Sequence, residues 1–383
     1  MNKKWVAVWS TAPSFGEQRE HNYAHDITLR YFIKTAISGE QIRLTFSNHC
    51  SKNSVTLDKI TLAPCVDEVV DISRAVSLTF DGKAECNIAP GGETVSDAVD
   101  FNLAAGESFA VSIYLGGYVD MTTACASSGP SSRYIYSAGD YSDAAEFPAT
   151  CCDGMGYCYF LSEIDLLAEE KCRNILAFGD SITAQSWPEQ LLEKVIEKGI
   201  TDVSVTRRAV SGSRVLRQYD CLRFARYGLK GADRFTREIK TAGTDTVMIL
   251  HGVNDIIHPE YNDQTGFRPI EDLPTVEELC EGLRFYADTA HKAGLKVYIG
   301  TVLPIMGWRT YEDFREPIRQ GVNQWIRTAD CFDGVVDFDL EMKDGQNQLM
   351  LKAEYDSGDH LHPSWEGAKK MAEMVYDKLI GEN

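Results

Sequence analysis

A serine, an aspartate and a histidine stand in two segments whose residue types could perform nucleophilic chemistry. Ser181 lies in GDSIT, directly after the apolar run NILAF, and Asp359 and His362 lie in DHLHP. A carboxylate that accepts a hydrogen bond from one imidazole nitrogen leaves the other nitrogen free to take a serine proton. His360 lies in the same segment, but it is adjacent to Asp359 and is expected to point elsewhere. Taken singly, GDSIT also fits an ordinary strand-to-helix turn, and Asp-x-x-His also fits a polar loop or half of a metal site.

Two further segments could stabilise the negative charge that develops on a carbonyl oxygen. Gly212 in VSGSR can present an unobstructed backbone N–H, and Asn254 in HGVND carries a neutral side-chain donor suited to a tetrahedral intermediate. Taken alone, the first also fits a plain loop glycine and the second an asparagine that caps a turn. Together the four segments supply a nucleophile, a base, an orienting carboxylate and oxyanion donors, which is the set that acyl transfer needs.

These segments follow predicted strands of an α/β region that begins near residue 169. Apolar strands are predicted over 174–178, 203–206, 246–250, 295–301 and 335–338. Helices are predicted around 191–196, from the capping box of Thr275 and Glu278, and from Ser364 onward as the final helix. This alternation predicts a domain with a mainly parallel sheet. Ligands bind at the carboxyl ends of such strands, where the four segments lie.

The first part of the chain has a different pattern. Short runs with a period of two, such as Ile42, Leu44 and Phe46 between polar neighbours, predict half-buried strands. Turn residues separate these runs, which is typical of an antiparallel β-sandwich. The predicted strands are 27–34, 41–48, 55–63, 75–80, 108–116 and 133–138. We therefore predict a β-sandwich domain over 1–168 and an α/β domain over 169–383.

Charge and composition exclude several functional classes. The 383-residue chain has a formal net charge of −19, divided as −10 over 1–168 and −9 over 169–383. Nucleic acids and anionic membranes attract clustered positive charge, so neither is expected as a partner. Apolar residues make up 44% and charged residues 25%, which is ordinary for a soluble globular protein.

Cysteine spacing and the N-terminal segment bear on compartment and metal binding. The eleven cysteines form no CxxC pair, so a structural zinc site is not expected. The apolar run at 5–9 is shorter than the core of a signal peptide, about 7–15 residues, and no stretch has the roughly 20 apolar residues of a membrane span. We expect a cytoplasmic protein with reduced thiols.

The four segments together resemble the GDSL, or SGNH, hydrolase family, whose blocks carry Ser, Gly, Asn and His in this order. The likeness extends to WSTAP, to residues 42–48, to YFLSEIDL and to FDGVVDFD through YDSGDHLHP. These stretches are similar to a two-domain bacterial branch with an N-terminal β-domain, associated with xylan-esterase-like carbohydrate deacylation. The resemblance implies a flavodoxin-like three-layer α/β/α hydrolase domain, preceded by a jelly-roll-like sandwich.

The resemblance also implies roles for individual residues. Ser181 would attack the ester carbonyl, His362 would take its proton and return it to the leaving alcohol, and Asp359 would orient His362. The backbone N–H groups of Ser181 and Gly212 and the side chain of Asn254 would form the oxyanion hole. An acyl-enzyme would form and be hydrolysed by water, with no metal and no organic cofactor.

The sequence departs from the family pattern in the second block. Asn and Gly are expected where the chain has Arg207, Arg208 and Ala209, and an Asn is expected where it has Ser213. The oxyanion donors are unaffected, but the shape of the leaving-group side is expected to differ.

The expected function is hydrolysis of short acyl esters, chiefly acetyl esters, on carbohydrates such as xylo-oligosaccharides. The substrate would be a small-molecule or oligosaccharide ester. Trp308 follows a predicted strand end and could stack on a sugar ring, although a loop tryptophan more often covers core. The alternatives are a lysophospholipase or thioesterase of the same family, and a carbohydrate-binding protein with a silent hydrolase domain.

Overall fold

The computed structural model describes residues 2–16, 22–127, 133–154, 156–219 and 224–381. The chain divides into two compact units. One comprises 1–174, 195–206 and 241–243, and the other comprises 175–194, 207–240 and 244–383. The predicted domain boundary at residue 168 stays a prediction.

The first unit is rich in antiparallel β-structure. Its larger sheet has the order β17-β16-β4-β13-β7-β8, with β9 also on β7, and the other large sheet has the order β1-β19-β5-β11, with β12 also on β5. Three small sheets pair β10 with β6, β14 with β3, and β15 with both β18 and β2. The strands are β1 (Lys3–Ser10), β2 (Ser14–Phe15), β3 (Tyr23–Ala24), β4 (Ile27–Lys34), β5 (Gly39–Ser47), β6 (Val55–Leu57), β7 (Lys59–Val66), β8 (Val69–Val70), β9 (Val76–Ser77), β10 (Cys86–Ile88), β11 (Glu93–Val95), β12 (Val99–Leu103), β13 (Ser108–Leu115), β14 (Val119–Asp120), β15 (Thr123–Ser127), β16 (Tyr134–Ala138), β17 (Cys152–Gly154), β18 (Gly156–Tyr159) and β19 (Leu161–Glu169).

Alternating side chains build the core of this unit. Ile42, Leu44 and Phe46 of β5 are fully buried, whereas the intervening residues are partly exposed. They join one hydrophobic cluster with side chains from β4 and β13, such as Tyr31 and Phe109. The period of two along β5 therefore places one face of the strand in the core.

The α/β part of the chain, from residue 173 onward, contains a five-stranded sheet with the order β21-β20-β22-β23-β24. The pairs β22–β23 and β23–β24 are parallel. The strands are β20 (Arg173–Gly179), β21 (Val203–Ala209), β22 (Thr244–Leu250), β23 (Lys296–Gly300) and β24 (Gly334–Val336). The α-helices are α1 (Ser181–Ala184), α2 (Trp187–Glu197), α3 (Gly231–Glu238), α4 (Val253–Ile257), α5 (Val276–Lys292), α6 (Glu316–Thr328), α7 (Phe338–Met342) and α8 (Trp365–Tyr376). Short 3-10 turns lie at Ile72–Arg74, Ala225–Tyr227, Ile270–Asp272 and Asp313–Arg315, and a π-helical turn at Asp377–Gly381 follows α8.

Most predicted elements are confirmed, with three corrections. The capping box of Thr275 and Glu278 opens α5, and Ser364 caps α8. The strand predicted over 55–63 is divided into β6 and β7, because β6 pairs with β10 whereas β7 pairs with β13 in another sheet. The strand predicted over 75–80 is reduced to Val76–Ser77, and at its predicted end Phe80 pairs with Lys83 across a turn. The strand predicted to end at Phe338 ends at Val336, because Asp337 caps α7 through its side chain.

The sheet order explains how three segments of the proposed site come together. Ser181, Gly212 and Asn254 follow β20, β21 and β22, which are neighbours in the sheet. Residues that follow adjacent parallel strands emerge at one edge of the sheet. Among the described helices, none is long and apolar enough to cross a membrane.

Candidate active site

Ser181 is placed by a tight turn at the end of β20. A side chain at Gly179 would bring its Cβ to 2.1 Å from the Leu250 carbonyl oxygen, so only glycine fits between β20 and β22. Asp180 follows as the N-cap of α1, and its carboxylate accepts the Ile182 backbone N–H at 3.1 Å. The turn and cap fix Ser181 as the first residue of α1.

Ser181, His362 and Asp359 form a continuous hydrogen-bonded chain. The Ser181 Oγ lies 2.8 Å from His362 Nε2, and His362 Nδ1 lies 2.6 Å from Asp359 Oδ2. The other carboxylate oxygen of Asp359 accepts the backbone N–H groups of Leu361 at 3.0 Å and His362 at 2.8 Å. The imidazole is thus held by its own loop, with Nε2 directed at the serine hydroxyl.

The carboxylate of Asp359 is stabilised in its charged form. Partial burial would raise its pKa, but hydrogen bonds from the His362 side chain and from backbone N–H groups hold that pKa below its ordinary value. An ionised Asp359 keeps the proton of His362 on Nδ1. Nε2 is then free to accept a proton from Ser181.

The neighbouring histidine of the loop belongs to a separate pair. His360 Nδ1 lies 2.6 Å from Asp356 Oδ2, and the His360 backbone N–H donates to Asp356 Oδ1 at 3.0 Å. His360 has a left-handed backbone with φ of 64°, which directs its side chain away from Asp359. The expectation that His360 points elsewhere is confirmed.

Gly212 occupies a position that only glycine can fill. Its φ is +81°, and a Cβ there would lie 2.1 Å from the Tyr227 ring. The next residue, Ser213, accepts the Asn254 side-chain N–H at its carbonyl oxygen, 3.0 Å away. An amide nitrogen carries two hydrogens, so Asn254 keeps a second donor. The contact with Ser213 fixes the orientation of the Asn254 amide relative to the Gly212 loop.

Asp255 anchors the same loop from α4. Its carboxylate accepts the backbone N–H groups of Val215 at 2.7 Å and Leu216 at 2.9 Å. Burial raises the pKa of Asp255 to about 6 and that of Asp180 to about 7, against the opposing effect of backbone hydrogen bonds. Both carboxyl groups hold backbone N–H groups in place. Among the described residues, neither carboxyl group forms a hydrogen bond with Ser181.

Arg234, which the sequence motifs did not indicate, joins the first two segments. Its Nη2 donates to the Gly179 carbonyl oxygen at 2.7 Å and to Ser213 Oγ at 3.2 Å. Its Nη1 pairs with the buried Glu238 carboxylate at 2.5 Å. An arginine and a glutamate four residues apart on α3 resemble an ordinary surface pair, so only the burial of α3 reveals this role.

His251 is buried and supports the site without access to substrate. Its Nε2 lies 3.1 Å from Ser213 Oγ, and its Nδ1 lies 3.0 Å from the Tyr286 hydroxyl. Burial, with the charge of Arg234, lowers the pKa of His251 to about 3. The imidazole is therefore neutral at pH 7 and braces the serine that stands where the family pattern has asparagine.

Arg207, the other departure from the family pattern, fixes the end of α1. Its Nη1 donates to the carbonyl oxygens of Ala184 at 3.1 Å and Gln185 at 2.9 Å. It also pairs with Glu189 of α2 at 2.8 Å. The arginine thus satisfies carbonyl groups at the end of α1, which carries the serine.

Trp308 packs against the histidine of the site. Its ring meets the His362 ring edge-on, with centroids 5.8 Å apart. The Arg309 guanidinium covers one face of the indole at 4.3 Å, and Trp308 is 9% exposed. The buried ring limits the positions that the imidazole of His362 can take.

Comparisons with known proteins identify one family. The model of the GDSL-like lipase/acylhydrolase family matches residues 177–370, which is half of the chain. That range includes all the site residues described above. No curated protein is significantly similar to the chain in sequence.

Solved structures with partial similarity include three esterases or lipases. A GDSL-like lipase from Bacteroides thetaiotaomicron is 19% identical with a TM-score of 0.41, over 55% of this chain and 89% of that chain. An acetyl xylan esterase is 16% identical with a TM-score of 0.40, over 54% and 100%. An esterase from Pseudoalteromonas is 17% identical with a TM-score of 0.39, over 55% and 100%. Because these TM-scores are all below 0.5, only the match to the family model shows which family the chain belongs to.

Proposed function

Because the chain belongs to the GDSL-like lipase/acylhydrolase family and is a carboxylic ester hydrolase, we propose that it removes short acyl groups, chiefly acetyl, from carbohydrates. The observation that carries this proposal is the hydrogen-bonded chain from Ser181 Oγ through His362 to Asp359, with distances of 2.8 and 2.6 Å. This geometry is what a serine nucleophile with a general base requires.

In the proposed reaction, Ser181 Oγ attacks the ester carbonyl carbon while His362 Nε2 accepts the hydroxyl proton. The imidazolium is stabilised by the ionised Asp359 and returns the proton to the leaving alcohol oxygen as the C–O bond breaks. Water then attacks the acyl-enzyme, again with His362 as base, and releases the carboxylic acid.

The oxyanion of each tetrahedral intermediate would be bound by three donors. These are the backbone N–H groups of Ser181 and Gly212 and the free amide hydrogen of Asn254. The positive φ of Gly212 and the contact between Asn254 and Ser213 support this proposal, because both hold the donors in place before substrate arrives. Donors fixed in advance need no reorganisation during the reaction.

We further propose that Trp308 lines the substrate site beside His362, and that residues 1–168 form a jelly-roll-like sandwich preceding the hydrolase domain. The edge-on contact with the His362 ring supports the role of Trp308. The antiparallel sheets formed by the strands from β1 to β19 support the sandwich.

The test compares Ser181→Ala with the wild type on acetylated xylo-oligosaccharides and on p-nitrophenyl esters of increasing acyl length. Removing the nucleophile is expected to lower kcat by about 10⁴-fold or more. Ser77→Ala, at an exposed position of β9, is the matched control and should retain wild-type activity. Unchanged turnover by Ser181→Ala would overturn the mechanism, and a preference for long acyl chains would favour a lysophospholipase or thioesterase.

A further inference from the structure

Four arginines converge on a buried histidine beside the proposed site. His258 is almost fully buried, and its pKa is lowered well below the ordinary value by burial and then by the charges of Arg214, Arg268, Arg309 and Arg315. We call these four residues the arginine cluster. A concentration of positive charge is unexpected in a chain whose net charge is −19.

The arginine cluster is connected to the oxyanion glycine. The His258 backbone N–H donates to the Asn254 carbonyl oxygen at 3.2 Å, at the end of α4. The His258 ring stacks on the Tyr227 ring, with centroids 5.5 Å apart, and Tyr227 packs directly against Gly212. The Arg214 guanidinium lies 4.2 Å from the centroid of the Tyr219 ring. The centroid of that ring is 5.3 Å from those of both the Tyr227 and the His258 rings.

The cluster also reaches the histidine of the triad. Arg309 covers the indole of Trp308, whose edge meets the His362 ring. Arg309 is exposed, whereas Arg214 is 1% exposed. The positive charges therefore extend from a buried position behind Gly212 to the surface beside His362.

Buried polar atoms around the cluster lack partners. Arg214 Nε and Nη1, the Tyr219 hydroxyl and Trp308 Nε1 make no hydrogen bond with any described residue. All three side chains are more than nine-tenths buried. Buried polar groups are nearly always paired in folded proteins, so this group of donors indicates a missing acceptor.

Within the described ranges, carboxylates pair with two of the four guanidinium groups. Glu260 pairs with Arg268 at 2.9 Å. Asp272 lies 3.2 Å from Arg214 and is shared with Arg217 at 3.9 Å.

Two members of the cluster have no such partner. Within the described ranges, Arg309 and Arg315 have no carboxylate at salt-bridge distance, and Arg315 donates to the backbone oxygens of Ile256 and Pro259 instead. Among the described residues, the site therefore combines two guanidinium groups that no carboxylate contacts at salt-bridge distance with unpaired buried donors.

We propose that the ester substrate carries a carboxylate, and that Arg214 and Arg309, with the donors of Tyr219 and Trp308, recognise it. This proposal rests on the esterase function proposed above. A carboxylate is the complementary group, because it accepts hydrogen bonds at both oxygens and pairs strongly with guanidinium. It can belong to the alcohol, as in an acetylated uronic acid, or to the acyl group, as in a half-ester of a dicarboxylic acid.

The test uses two matched pairs of substrates with the intact protein. The first pair is methyl O-acetyl-glucuronic acid and methyl O-acetyl-glucoside, and the second is the mono-p-nitrophenyl ester of glutaric acid and p-nitrophenyl valerate. We expect kcat/KM to be at least about tenfold higher for the charged member of one pair, mainly through a lower KM. The pair that shows the preference identifies the side of the ester that carries the carboxylate. The preference should weaken as salt is added, because ions screen the exposed Arg309.

Arg309→Gln should reduce the ratio of charged to neutral kcat/KM by about tenfold. Arg284→Gln is the matched control, since Arg284 is also exposed, lies over the Trp325 ring at 5.5 Å and has its carboxylate partner, Asp330, outside the site. It should leave the ratio unchanged. An equal effect of both variants on the ratio, or no preference for the charged member of either pair, would overturn the proposal.

The two proposals fail in different ways. If Ser181-dependent hydrolysis of neutral acetyl esters persists without any charge preference, the esterase function stands and carboxylate recognition is wrong. If Ser181→Ala hydrolyses these esters as fast as the wild type, the esterase mechanism fails whatever the ratio.

Discussion

At the scale of single residues, two histidines of one loop have different partners and should have different functions. His362 contacts Ser181 Oγ, whereas His360 pairs with Asp356. We expect His362→Asn to lower kcat by about 10³-fold or more, because no base remains to take the serine proton. His360→Asn keeps a side chain that tolerates a left-handed backbone and should remain within a few-fold of wild type. Steady-state kinetics with p-nitrophenyl acetate would measure both, and equal losses would contradict the assignment of the base.

The buried carboxyl of Asp180 predicts how stability responds to pH. Burial raises its pKa to about 7, so between about pH 4 and 7 the folded state binds a proton that the unfolded state has released. The contribution of this group to the free energy of unfolding is therefore full at low pH and is lost as pH rises toward 7.

Asp180→Asn removes this dependence while keeping an oxygen that can cap Ile182. Relative to wild type, the variant should gain stability as pH rises from about 4 to 7, by at most about 1.4 kcal/mol per pH unit. Urea unfolding at several pH values would measure the difference between the two proteins. A difference that does not vary with pH would show that Asp180 is ionised throughout.

At the scale of elements, the loop after β21 has a shape that only glycine permits at residue 212. Gly212→Ala is expected to destabilise the fold by more than about 2 kcal/mol, because the added Cβ overlaps the Tyr227 ring and the φ is positive. It should also lower kcat, since the backbone N–H at 212 would shift from the proposed oxyanion position.

Gly266→Ala separates the two causes. Gly266 has a similar φ of +70°, but a Cβ there meets nothing within 4 Å, so this control should cost only about 1 kcal/mol and leave kcat unchanged. Thermal unfolding and kinetics of both variants would test the comparison. Equal stability losses would show that the Tyr227 contact is unimportant.

The elements also show which features the sequence could predict. The bounds of β4, the capping box of α5 and the cap of α8 follow from local signals, namely alternation and side-chain caps. The strand near residue 75 was overestimated because only the pairing with β7 determines how far it extends. Arg234 was missed because its partners, Gly179 and Ser213, are distant in sequence.

At the scale of the whole molecule, the net charge of −19 conceals a local arrangement of the opposite sign. The sequence showed no basic half, and that remains true of each part of the chain. The charges of four arginines separated by up to about a hundred positions nevertheless help burial to lower the pKa of His258. Such convergence depends on the tertiary fold, so a charge count along the chain could not predict it.

The most direct test of the account is to locate the acyl-enzyme. Wild-type protein would be mixed with p-nitrophenyl acetate, quenched in acid within the first turnovers and analysed by peptide mass spectrometry. We predict one acetyl group on the peptide that contains Ser181, and none on Ser181→Ala. An acetyl group on another residue, or turnover by Ser181→Ala at the wild-type rate, would contradict the proposal that Ser181 is the nucleophile.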